Sequence, residues 1–267
     1  MMAQPLPYDM GGAGDLLKHG VLAEFTQWWC QLHAMSLRFA DPFGGRPWVT
    51  PPVPQVTERV KALAGCALFT AQPHPDTRYY GSGHLVRHAA QAAGQQAEVL
   101  VSDCDPAARH DLVTSGLTAL QHPGFDPANG FSILTTEIDV GLILIDPFAP
   151  FLWEEAPRVL PQIGTVSQRM AIVVFLLIQD PMNVDGRRYA TLKAHHLAHA
   201  WTLHCPALPH TGVKGEAKYA SEVLLVAPRL LAQPAAARLQ AQLARYTRRL
   251  TKVLEAPVRF SAGVGAE

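Results

Sequence analysis

Gly141-Leu-Ile-Leu-Ile-Asp-Pro-Phe148 carries four consecutive apolar residues and then stops at an acid and a proline. A run this short, with no polar alternation, suits a strand covered on both faces, as in a parallel sheet between helix layers. Proline has no N–H for a ladder, so the strand must end there. Further along, Ala171–Ile178 is a second continuous apolar run, closed by Gln179-Asp180-Pro181. Glu98–Ser102 reads as a strand running into Asp103, Leu37–Ala40 as one running into Asp41-Pro42, and Glu222–Val226 as the last strand of the chain.

Helical patterns alternate with these strands. The first spans Gly14–His33, with Leu16, Leu17, Val21, Leu22, Phe25 and Trp28 on one side. Residues 47–58 hold four prolines and read as a loop leading into a short helix near Glu58–Ala64. Further helices are expected at Ala107–Leu120 and Tyr189–Ala200, the latter followed by a segment at Trp201–Leu208. A final amphipathic helix carries Leu239, Leu243, Tyr246, Leu250 and Leu254. Strands alternating with helices predict an α/β, Rossmann-like fold: a mostly parallel central sheet with helices on both faces. With no internal repeat and no low-complexity linker, a single domain over residues 1–267 fits best, with a short proline-rich insertion at about 47–80.

Bulk properties narrow the function classes. Hydrophobic residues make up 48% of the 267, which excludes global disorder. Acidic and basic residues number 22 each, so any nucleic-acid contact must come from a local patch. Candidates are Arg187, Arg188 and Lys193, and Arg245, Arg248, Arg249 and Lys252; Arg245 and Arg249 share the helix face opposite the apolar stripe, as a solvated face does. No apolar run approaches the ~20 residues that span a bilayer. The N-terminus lacks the charged and apolar regions of a signal peptide, and four scattered cysteines suit buried, reduced thiols. A cytoplasmic protein without membrane attachment is expected.

In open parallel sheets ligands bind beyond the carboxyl ends of the strands. Four predicted strands end there in acids: Asp41, Asp103, Asp146 and Asp180. Asp-Pro is ordinary turn chemistry taken singly, but its repetition points to a shared crevice. Asp41-Pro-Phe-Gly-Gly45 is the candidate cofactor loop, since glycines let backbone approach a ligand closely. It is no GxGxxG, which speaks against a pyrophosphate and suits S-adenosylmethionine, which has no phosphate. Asp103 can accept both ribose hydroxyls of an adenosine cofactor, or serve as a turn or helix-cap residue, a part Asp105 could fill instead. Asp146 can accept a hydrogen bond from an exocyclic amine and orient its lone pair toward a methyl group. Phe148 can stack on a planar acceptor or be a core aromatic. His195, His196, His199, His204 and Cys205 cluster late in the chain, but without a glutamate in an HExxH arrangement, and no metal is expected.

Several motifs occur in one order: Asp15-Leu-Leu-Lys-His19, Arg78-Tyr-Tyr-Gly-Ser-Gly83, Asp103-Cys-Asp-Pro106, Asn129-Gly-Phe131, Gly141-Leu-Ile-Leu-Ile-Asp-Pro147 and Gly215-Glu-Ala-Lys-Tyr-Ala-Ser221. Over about Asp15 to Pro228 this resembles the RlmJ-like family, bacterial methyltransferases that modify an adenine N6 in large-subunit ribosomal RNA; the loop and DPF motif also resemble three-Cys-motif partner proteins. The resemblance implies a Rossmann-like methyltransferase fold, S-adenosylmethionine as cofactor and RNA as partner. By the same resemblance Lys18 and His19 would sit beside the cofactor, Asp41 and Gly44 would line it, and Ser82 would contact its amino-acid end. Asp103 would take the ribose, Asn129 would read the adenine ring, and Asp146 would be the catalytic carboxylate. The family's amine-methylating motif is Asp-Pro-Pro-Tyr, whereas this chain reads Asp146-Pro147-Phe148-Ala149. Two alternatives therefore stand beside a nucleobase N-methyltransferase: an inactive member of the fold acting as a binding or scaffold protein, and a methyltransferase of a small molecule or protein.

Overall fold

The computed structural model describes residues 10–121, 132–135, 141–146, 151–179, 184–208 and 219–263. In chain order the elements are α1 (Ala13–Leu32), β1 (Leu37–Asp41), β2 (Trp48–Val49), α2 (Pro54–Ala62), α3 (Ala67–Ala71), β3 (Tyr79–Tyr80) and α4 (Ser82–Ala92). They continue with β4 (Ala97–Val101), α5 (Pro106–Thr114), β5 (Thr118–Ala119), α6 (Ser132–Thr135), β6 (Leu142–Ile145), α7 (Phe151–Val166) and β7 (Ala171–Gln179). The remainder are α8 (Val184–His196), β8 (Trp201–Cys205), β9 (Tyr219–Val226), α9 (Pro228–Leu231), α10 (Ala236–Leu254) and β10 (Arg259–Ser261).

Among the described residues the main sheet has eight strands in the order β10-β8-β9-β7-β6-β1-β4-β5. Pairings β1–β4, β4–β5, β1–β6 and β6–β7 are parallel, while β9 is antiparallel to both β7 and β8. The chain steps from β1 outward to β4 and β5, then returns to lay β6 on the other side of β1. The order therefore reverses between β1 and β6, the kind of switch point where such sheets open a crevice. The expected Rossmann-like α/β fold is observed, a mostly parallel sheet between helices.

Strand alternation sends successive side chains to opposite faces and builds two cores. Leu37, Phe39, Leu142, Leu144, Ala171 and Val173 meet α1, α3, α4 and α10 on one face. Ala40, Ile143, Ile145, Ile172 and Val174 meet α7 and α8 on the other, through Val159, Leu160, Ile163 and Tyr189. This two-sided coverage is why β6 and β7 are continuously apolar.

The first core is closed by a contact between α1 and α10. The Tyr246 hydroxyl donates to the Leu16 carbonyl, and a Cβ on Gly20 would overlap the Tyr246 ring. Only glycine leaves room for the ring to cross α1 at that point.

Several boundaries differ from the sequence expectation. The helix expected over Ala107–Leu120 ends at Thr114, because Gly116 takes φ +89° and turns the chain into the edge strand β5. Residues 47–58 are not all loop: Trp48–Val49 pair with Tyr79–Tyr80, and α2 starts at Pro54, where proline suits the first helical turn. The late helix spans Val184–His196, not Tyr189–Ala200, and Trp201–Cys205 is a strand. Glu222–Val226 lies within β9 and is not the last strand, since β10 pairs with β8.

Candidate functional site

The site stands at the carboxyl ends of β1 and β6, beside the reversal in strand order. Asp41 is the last residue of β1 and is 1% exposed. Its carboxylate accepts hydrogen bonds from the Ser82 hydroxyl, at the start of α4, and from the Phe43 N–H at 2.9 Å. Burial pushes the Asp41 carboxyl up to about 7; the Ser82 and Phe43 hydrogen bonds pull it down, and the nearby Asp146 carboxylate pushes it up.

Asp146 directly follows β6, so parallel pairing sets the two acids on neighbouring strand ends. The Lys18 ammonium, from the second turn of α1, donates to the Asp146 carboxylate and lies 2.7 Å from Asp15. Lys18 is 4% exposed and also lies over the Phe175 ring of β7, at 5.2 Å from its centroid. Burial raises the Asp146 carboxyl above its usual range; Lys18 opposes that shift and Asp15 adds to it. A buried cation between two carboxylates keeps the ionised forms tenable where water is scarce.

The glycine loop lies next to this cluster. Gly44 N–H donates to the Ser102 carbonyl at 2.8 Å, and a Cβ there would come within 3.0 Å of Leu112. Gly45 has φ +59°, and a Cβ on it would meet nothing within 4 Å, so the loop fronts open space. Asp103 accepts from Gly45 N–H at 2.9 Å and from Asp105 N–H at 2.8 Å, tying the end of β4 to the glycine loop. The helix-cap role belongs to Asp105, whose carboxylate accepts from Ala107 N–H at 2.9 Å. At the start of α4, Gly81 provides no side-chain cap and the first turn holds no acid.

His19 turns elsewhere. Its Nδ1 shares a hydrogen bond of 2.8 Å with the Tyr79 hydroxyl, and burial lowers its pKa to about 4, keeping the ring neutral. Of the residues singled out in the sequence, the structure thus gathers Lys18, Asp41, Ser82 and Asp146, with Gly44 and Asp103 in the adjoining loops. Asn129 and Phe148 lie outside the described residues, as does Asp180. Asp15 and Phe175 were missed as site residues. Asp15 was detectable, since Asp and Lys three apart share a helix face. Phe175 was not, because it meets Lys18 only through the tertiary fold.

The cysteines are free; Cys30, Cys66 and Cys205 are buried, but Cys104 is exposed, unlike the buried thiol expected. Among the described residues no group of three or more His, Cys, Asp and Glu is placed to hold a metal ion. None of the described helices is long and apolar enough to cross a membrane.

No family model and no curated protein sequence matches the chain. Its fold is similar to that of protein LPL1258 from Legionella pneumophila str. Philadelphia 1, of family-model DUF519, at TM-score 0.61 and 12% identity over 96% of this chain and 98% of that one. TrmN from Thermus thermophilus aligns at TM-score 0.38 and 15% identity, over 85% of this chain and 55% of that one.

Proposed function

We propose that this protein is an S-adenosylmethionine-dependent methyltransferase acting on an exocyclic amine of a nucleobase, with adenine N6 in RNA as the acceptor. The observation that carries this reading is the placing of Asp41, Ser82, Lys18 and Asp146 together at the strand-order reversal of this fold. The residues present suit the cofactor. Gly45 fronts open space beside the cluster, which leaves room for a ligand at the glycine loop. Asp41 complements a cationic amino-acid end, and Asp103 offers carboxylate oxygens to ribose hydroxyls. When bound, the cofactor supplies an electrophilic methyl group on a sulfonium.

The chain's own residues would do the rest by positioning. Asp146 accepts an N–H of the acceptor amine, which aims the nitrogen lone pair toward the methyl. Transfer would exchange the sulfonium's S–C bond for an N–C bond and leave a neutral thioether; the acceptor nitrogen would then carry an extra proton, which the Asp146 carboxylate would take before passing it to water. Lys18 holds that carboxylate ionised and fixed in direction until the amine arrives. Phe148 is assigned from the sequence to packing against the acceptor base.

A second reading, a binding subunit with this fold and no transfer activity, is favoured by one observation: the Asp146 carboxylate is already engaged by Lys18. Turnover separates the two. Asp146→Asn is expected to leave cofactor affinity within about twofold and to lower methyl transfer roughly 100-fold or more, the scale of a lost general base. Equal turnover by wild type and variant would assign the chemistry to another group. Nucleosides from a strain lacking the protein should show a loss of N6-methyladenosine by mass spectrometry; an unchanged level would remove that acceptor.

A further inference from the structure

The outer face of α10 is strongly one-signed in a chain whose 22 basic and 22 acidic residues balance overall. From Ala236 to Leu254 the helix carries Arg238, Arg245, Arg248, Arg249 and Lys252 and no acidic residue. Arg238, Arg245, Arg248 and Lys252 are exposed, while Leu239, Leu243, Tyr246, Leu250 and Leu254 are buried. At 3.6 residues per turn the four exposed cations fall within about 80° of the circumference, away from the buried side. Along the axis they extend over about 21 Å at 1.5 Å per residue. Arg249, grouped with them by sequence, is drawn off the stripe: its guanidinium donates to the Ala64 carbonyl.

The stripe also leads toward the site. Tyr246 crosses α1 at Leu16 and Gly20, the residues that flank Lys18 on that helix. Beyond α10 the chain enters β10 at Arg259, which pairs with His204 near the carboxyl end of β8. The last turns of α10, with Arg248 and Lys252, therefore lie toward the carboxyl ends of the parallel strands, the end of the sheet at which Asp41 and Asp146 stand, with β8, β9 and β7 between β10 and β6. Acids beside the helix include Glu255, which ends it, and Glu24 of α1, whose carboxyl is influenced by the Arg245 charge.

We infer that the exposed face of α10 is a docking track for the phosphate backbone of an RNA strand that presents its base to the site. The inference rests on the nucleobase reading for the choice of RNA. A linear row of cations complements a linear polyanion, and its length spans several nucleotide repeats. Guanidinium forks suit phosphate oxygens. Contacts of this kind position a strand without reading its sequence, leaving selectivity to the site.

The test uses the full chain and a fluorescein-labelled RNA of about 20 nucleotides, long enough to cover the stripe, followed by anisotropy across a series of salt concentrations. The comparison is wild type against the combined variant Arg238→Gln, Arg245→Gln, Arg248→Gln and Lys252→Gln, which keeps good helix formers on an exposed face. The variant is expected to bind at least about tenfold more weakly, with the slope of log affinity on log salt reduced by about 0.7 for each phosphate no longer neutralised. S-adenosylhomocysteine affinity should be the same in both proteins, which also reports that the variant is folded. Equal RNA affinity and slope in both would overturn the inference, as would wild type failing to bind RNA or binding polyglutamate as tightly. If the cofactor does not bind but RNA binding depends on these four residues, the methyltransferase reading fails and the track stands.

Discussion

Among single residues, the buried Lys18 and Asp41 and the partly buried Asp146 decide how the site behaves. Lys18→Met leaves Asp146 and Asp15 without this buried cation, and it is expected to lower stability by up to about 3 kcal/mol in urea titration. An unchanged midpoint would mean that the ion pair is not maintained in solution. Asp41 and His19 make opposite contributions to pH dependence. The Asp41 carboxyl is raised to about 7 in the folded chain, so the folded state binds the extra proton and this group's contribution falls as pH rises from about 4 toward 7. His19 is lowered to about 4, so its contribution is present above the unfolded value of about 6.5 and is lost as pH falls through that window. His19→Gln should flatten the acid limb of stability against pH, and an unaltered limb would contradict the burial of a neutral ring. Binding of a cationic cofactor next to Asp41 should favour its ionised form. Affinity is then expected to rise as pH passes upward through about 7 and to be flat in Asp41→Asn, by titration calorimetry.

Between elements, the Gly20–Tyr246 crossing fixes how α1 presents Lys18. Gly20→Ala forces a methyl group onto the Tyr246 ring and is expected to destabilise by about 1–3 kcal/mol. Tyr246→Ala should cost about 3–5 kcal/mol through loss of the buried ring. The double variant should be less destabilised than the sum, because the methyl no longer meets the ring. Additive losses in urea unfolding would show that the two do not touch. The apolar runs at β6 and β7 were legible because both faces are covered, and α1 and α10 because their periodicity is long. Helix α7 escaped notice since Pro157 and Pro161 interrupt its pattern; burial of Val159, Leu160 and Ile163 outweighs that local penalty. Helix α4 escaped because its Gly81-Ser82-Gly83 start reads as a turn, and its apolar side becomes evident only against β4 and α1.

Across the whole molecule, the strand order creates the site. Lys18 and Asp146 are separated by 128 positions, and only the return of β6 to the flank of β1 brings them together. The acids at strand ends were visible in the sequence, because Asp-Pro steps are local. That Asp41 would be held by Ser82 across the intervening β2, α2, α3 and β3, or that Asp103 would brace the glycine loop, was not. By the general rule for such sheets, S-adenosylmethionine is expected to bind at this reversal, and every catalytic role proposed for Asp146 depends on it. Titration calorimetry of the full chain with S-adenosylmethionine and S-adenosylhomocysteine is the most direct measurement. Saturable heat from both ligands, at one site per chain, is the expected result; no heat at millimolar ligand would contradict it.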